Sequence, residues 1–117
     1  MITDDIGISL LSGNNLELRN VVQEVLRSDP NITDWPAPVS ADMRIQAAAA
    51  SIAELCASRM GQVSPSWAVG VPALNAPIYV VTAALRMKHL RELCDTESPV
   101  ALRKRNILAP PNFLEFL

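Results

Sequence analysis

Nine prolines set the divisions of this chain. A proline inside a helix removes an amide donor and clashes with the preceding turn, and it biases its predecessor away from helical dihedrals, so helices must fit between prolines. Pro30, Pro36, Pro38, Pro65, Pro72, Pro77, Pro99, Pro110 and Pro111 leave three long proline-free runs: before residue 30, from 39 to 64 and from 78 to 98. Each run carries apolar residues at three-and-four spacing, the mark of a helix with one buried face. The chain is therefore expected to be all-α, a single compact domain over residues 1–117 built from about three main helices plus short helical turns.

In the first run, Leu18, Val21, Val22, Val25 and Leu26 line one face of a helix over residues 16–26, with Asn14 or Asn15 as cap and Asp29-Pro30 as terminator. Ahead of it, Ile6 to Leu11 fits either a short turn or a strand. The second run holds the clearest helix. Ser40 is its expected cap, Asp42 favours the dipole of its first turn, and Gly61 stands where a left-handed residue closes a helix. Ile45, Ala48, Ala49, Ile52, Leu55, Cys56 and Met60 form its stripe, and the four alanines Ala47 to Ala50 allow a neighbour close. The third run predicts a helix over 78–95 with Ile78, Val81, Leu85, His89 and Leu93 on one arc and Lys88, Arg91, Glu92 and Asp95 opposite.

Between these runs the chain turns. Asn31 to Val39 reads as a linker, Ser64-Pro65 as the capped start of a single turn around Ser66 and Trp67, and Val71 to Pro77 as irregular. Ser98-Pro99 opens a further short helix carrying Leu102 and the Arg103-Lys104-Arg105 run. Asn106 is suited to end it in the left-handed conformation.

With 117 residues, half of them apolar, the chain can bury a core without a metal or disulfide framework. Its net charge of −2 excludes a generally basic nucleic-acid binder, yet the charge is uneven. Residues 1–59 carry eight acids against four arginines, and residues 60–117 carry four acids against six cations. An anionic partner would be met by the second half. Cys56 and Cys94 show no paired spacing and are expected as buried thiols in a reducing cytoplasm. The first residues lack a cationic leader, and no apolar run is long enough to cross a bilayer, so a cytoplasmic location is expected.

Candidates for chemistry are few. His89 is the lone histidine, and its place among aliphatic residues suggests a core or half-buried imidazole rather than a general base. No serine sits in a Gly-x-Ser-x-Gly elbow, the four glycines are scattered, and paired carboxylates occur only at Asp4-Asp5. The expectation is a protein that is not an enzyme, with no cofactor and no metal. Trp35 and Trp67 are expected to pin loops onto the core, with a partner anchor as the alternative. Three consecutive cations on a helix span about 200° of its circumference, so Arg103, Lys104 and Arg105 cannot share one surface. One of them, Arg103 or Arg105, should point inward and take a carboxylate or carbonyl, with Asp95 or Glu97 nearest in sequence.

The final quarter, Leu93 to Leu117, resembles the C-terminal signature of small bacterial proteins encoded in two-gene modules beside nucleotidyltransferase-like proteins and associated with toxin–antitoxin systems. The pattern is a leucine-rich helix, Glu97-Ser98-Pro99, two variable residues, an apolar residue, Arg103-Lys104-Arg105-Asn106-Ile107 and a Pro-Asn-x-Leu ending at Asn112 and Leu114. Pro65-Ser66-Trp67 is similar to a proline–tryptophan feature of that group. Leu102 replaces an aromatic usual before the arginines, and Ala76-Pro77-Ile78-Tyr79 replaces a Pro-Trp-Phe element. The resemblance implies a non-catalytic antitoxin or accessory subunit whose protein partner is encoded nearby.

The sequence thus points to protein–protein contact, with Arg103, Lys104, Arg105, Phe113, Phe116 and Trp67 as the partner-binding candidates and a homo-oligomer as a further option. Phe113, Leu114, Phe116 and Leu117 make an apolar end expected to dock on the chain's own core or on a partner. Two alternatives stand: a nucleic-acid-binding regulator using Arg86, Lys88, Arg91 and the basic run, and a small ligand-binding or enzymatic domain centred on His89.

Overall fold

In the computed structural model, which describes residues 2–116, the middle proline-free run becomes the axis of the molecule. Helix α3 (Met43–Arg59) is buried at every residue from Ala47 to Ala53 and again at Leu55, Cys56 and Ala57. Burial on all sides, rather than along one stripe, means that neighbours enclose this helix, and alanines make that possible by adding little girth. Met60, expected on the buried stripe, lies beyond the helix and is 45% exposed.

Helix α1 (Ile2–Leu11) crosses α3 closely, and α2 (Asn15–Ser28) packs back on α1. The crossing depends on Gly7. A Cβ placed there would lie 2.7 Å from the Ile45 carbonyl oxygen, and no side-chain motion could relieve that contact. Ile6 and Leu10 from α1, and Leu18, Val22 and Val25 from α2, complete this side of the core. On the other side α3 meets the short helices α4 (Ser66–Val69) and α6 (Val100–Arg103).

The helix ends follow local chemistry. Asn14 caps α2 through a bond from the Glu17 amide to its Oδ1, 3.0 Å. The cap of α3 is Asp42, whose Oδ1 accepts from the Arg44 amide at 2.8 Å, not Ser40; Ser40 Oγ instead accepts from the Asp42 amide at 3.1 Å and orders the approach. An ionised cap nearer the helix wins because charge strengthens the bond to the orphan amides. At the far end Gly61 has φ +67°, with the Gln62 amide on the Ala57 carbonyl and the Gly61 amide on that of Ser58, the paired bonds of a Schellman closure.

Two segments depart from the sequence reading. Ile6 to Leu11, which fits either a turn or a strand by sequence, belongs to a ten-residue helix, Ile2–Leu11. Its Asp4 is anchored, since the carboxylate accepts from the amides of Val39 and Ser40, and Thr3 donates to the Pro36 carbonyl at 2.9 Å. The helix over 78–95 does not form as one element. Ile78–Tyr79 (β1) pairs in parallel with Ile107–Leu108 (β2), a 3-10 turn covers Thr82–Leu85, and only Lys88–Glu97 (α5) is α-helical. The run Ile78-Tyr-Val-Val-Thr is β-branched or aromatic, so extended backbone suits it once a partner strand is present. Leu85 and His89, expected on a buried arc, are exposed.

Among the described residues the molecule is thus mostly helical, with four longer helices, short helical turns and one two-residue parallel pair. Its radius of gyration, 13.1 Å, is what a compact chain of this length should have, about 13 Å.

Candidate protein-binding surface

The basic run turns out to work inward at one position and outward at two. After α6 the chain passes through a turn that Asn106 closes with φ +65°, and the turn drives Arg105 into the core. The Arg105 side chain is 3% exposed and forms an ion pair with Glu54 of α3. Its remaining donors reach the carbonyls of Ala68 at 2.6 Å and Val71 at 3.1 Å, so one guanidinium ties α3 to α4 and the chain just after it. The same carboxylate receives Lys104 Nζ at 2.8 Å from the solvent side. Arg103 is exposed and donates to the Thr96 carbonyl at 2.9 Å, at the end of α5.

An inward arginine was expected, but the carboxylate facing it was not Asp95 or Glu97. Glu54 lies 51 positions away, on α3, and nothing in the local spacing announces it. Asp95 instead accepts from the Tyr79 hydroxyl at 2.6 Å, and this bond, ahead of burial, pushes the phenol's pKa above its ordinary value.

The apolar end folds onto its own core. Phe113 is 6% exposed and Leu114 9%, and Arg59 from the last turn of α3 donates to both of their carbonyls, 2.6 Å at Leu114. Phe116 is half-buried, with the guanidinium carbon of Arg19 5.4 Å from its ring centre. Leu117 lies outside the described residues. Trp35 and Trp67 both pin loops: Trp35 Nε1 donates to the Asp29 carbonyl at 2.9 Å, and Trp67 Nε1 donates to the Trp35 carbonyl at 2.8 Å. Trp67 is therefore engaged at its polar edge, although its ring remains half-buried.

What the tail leaves open is a groove of about 590 Å³ between it and the start of α2. Phe113 and Leu114 contribute to its wall, Phe116 and Arg19 flank it, and Leu16 stands at its edge 67% exposed. Leu16 and Arg19 do not stand out in the sequence, because only the fold brings the first turn of α2 beside the last residues. The helical pattern held one signal: Leu16 precedes the apolar face that starts at Leu18 and is not needed by it.

The thiols offer little reactivity. Burial pushes Cys56 up to about 12 despite the opposing charge of Arg59, and burial, ahead of the nearby Asp95, also raises Cys94. Among the described residues no group of three His, Cys, Asp or Glu could hold a metal ion, and no helix is long and apolar enough to cross a membrane. Comparison with protein-family models, with curated proteins and with solved structures finds no match for this chain.

Proposed function

We propose that this protein acts by binding another protein, as an antitoxin or accessory subunit of a bacterial two-gene module, and performs no chemistry of its own. The observation that carries this reading is the groove beside the tail: a large aliphatic side chain, Leu16, held 67% exposed next to the half-buried Phe116 over a wall of ordered apolar residues. Such a surface suits an apolar side chain from a partner, the kind of contact that dominates binding energy. The partner is the product of the adjacent gene, a nucleotidyltransferase-like protein in the modules that the tail resembles.

Apart from the exposed Arg86 and Lys88, the cations of a phosphate-binding stripe are engaged within the chain. Arg105 and Lys104 converge on Glu54, Arg103 is engaged at Thr96, and Arg91 donates to the carbonyls of Ala84 and Leu85. His89 is exposed near the start of α5 and its replacement should leave the partner surface untouched. The test is co-expression with the neighbouring product and affinity capture. A stable complex that survives moderate salt and His89→Gln, and is lost in Leu16→Asp, is the expected result. Failure to capture the neighbour, or capture indifferent to Leu16→Asp, would remove the basis of this reading.

A further inference from the structure

The turn between the 3-10 segment and α5 presents an unusual surface. Leu85 is 58% exposed and Met87 56%, while Arg86, Lys88 and His89 beside them are exposed as well. Among the described residues neither Arg86 nor Lys88 forms an ion pair. The turn is held in shape from behind, because Arg91 Nε donates to the Ala84 carbonyl at 3.1 Å and Nη2 to that of Leu85 at 2.5 Å. Two apolar and two cationic side chains are thus kept outward on a braced ridge rather than on a yielding loop.

A complementary surface exists elsewhere on the same chain. Along the seam of α1 and α2 runs a groove of about 330 Å³ whose lining includes Ile8, Val21 and Val25, with Asp5, Glu17 and Glu24 on its walls and no cation among its lining residues. Ile8 is 52% exposed. None of the three carboxylates forms an ion pair among the described residues. Ridge and groove match in sign and in apolar content, and α5 has no substantial packing against α1 or α2 within one molecule.

We infer that the occupant of this groove is the Leu85–Lys88 ridge of a second copy, giving a head-to-tail association. Such a contact is heterologous, so a pair keeps a free ridge on one copy and a free groove on the other and can extend to higher assemblies. The surfaces are small, which places the contact among weak, concentration-dependent ones, and paired charges at the rim make it sensitive to salt. It uses neither Leu16 nor Phe116, so its failure leaves the tail groove proposal standing.

Charge exchange tests it. Sedimentation velocity of the full chain at low salt should show mass rising with concentration from tens of micromolar to about a millimolar, and 0.5 M NaCl should weaken association about tenfold or more. Lys88→Glu and Glu24→Lys, both surface changes verified for folding by circular dichroism, should each weaken self-association at least tenfold. Mixing the two should restore assembly, because the intact ridge of Glu24→Lys meets the intact groove of Lys88→Glu. A wild-type chain that stays monomeric throughout, association unaltered by either substitution, or variants that fail to complement each other would overturn the inference. The last pattern would mean that ridge and groove meet different occupants.

Discussion

At the scale of single residues, Arg105 is the group on which most depends. Its truncation would leave the largely buried Glu54 with only Lys104 as an ion-pair partner, and it would strip donors from the carbonyls of Ala68 and Val71. Breaking a buried pair by removing one partner costs several kcal/mol, so Arg105→Met should lower stability by about 3 kcal/mol, with melting falling on the order of 10 °C. Arg105→Lys should not rescue it, since the single nitrogen of an ammonium cannot span Glu54, Ala68 and Val71, which the separate nitrogens of the guanidinium reach. Calorimetric melting of the two variants checks both statements. Ser51 makes the opposite case: its hydroxyl is buried in α3 with no hydrogen-bond partner among the described residues. Ser51→Ala removes that desolvated group and raises helix propensity, and chemical denaturation should show a gain of about 1 kcal/mol. Cys56 gives a pH signature. Its folded pKa, about 12, lies above the unfolded value of 9.0, so the stability it contributes is complete below pH 9 and declines as pH rises toward 12. Urea midpoints should therefore fall over this range. Cys56→Ala, though less stable at neutral pH, should show a shallower fall.

Among the elements, α3 was the most legible in the sequence, since its composition, its glycine closure and its length between prolines all agree. Even so, its cap was misplaced by two residues, because Ser40 and Asp42 are both good caps and only geometry chooses. The region after Pro77 misled for a stronger reason. Ile78, Val81 and Leu85 have helical spacing, but Ile78 and Tyr79 pair with Ile107 and Leu108, partners 29 residues away that no local pattern reveals. Residues 2–11 were hidden differently: Gly7 lowers helix propensity, and the reason for a glycine there is a backbone on another helix. That reason can be tested. Alanine at Gly7 gains about 1 kcal/mol of propensity but meets the Ile45 carbonyl, and overpacking typically costs about 1–3 kcal/mol. Gly7→Ala should therefore melt lower than the wild type. A higher melting temperature would mean that α1 does not seat on α3 as described.

For the whole molecule, the C-terminal quarter acts first as internal architecture. Arg105 and Arg59 fasten it to α3 from two sides, and the aromatic tail finishes the core before it offers anything outward. Part of this was readable: consecutive cations had to diverge, an apolar terminus had to dock, and Asn106 had to turn. The surface that results was not readable, because it joins Leu16 to Phe116 across a hundred residues. The division of labour between fastening and binding is open to direct measurement. Affinity for the captured neighbouring protein, determined by titration calorimetry for Leu16→Asp and Arg103→Glu side by side, separates an apolar groove from a basic patch. The expected result is a loss of at least tenfold for Leu16→Asp, with Arg103→Glu within about twofold of the wild type. A large loss for Arg103→Glu with Leu16→Asp unchanged would contradict it and return the interface to the basic run.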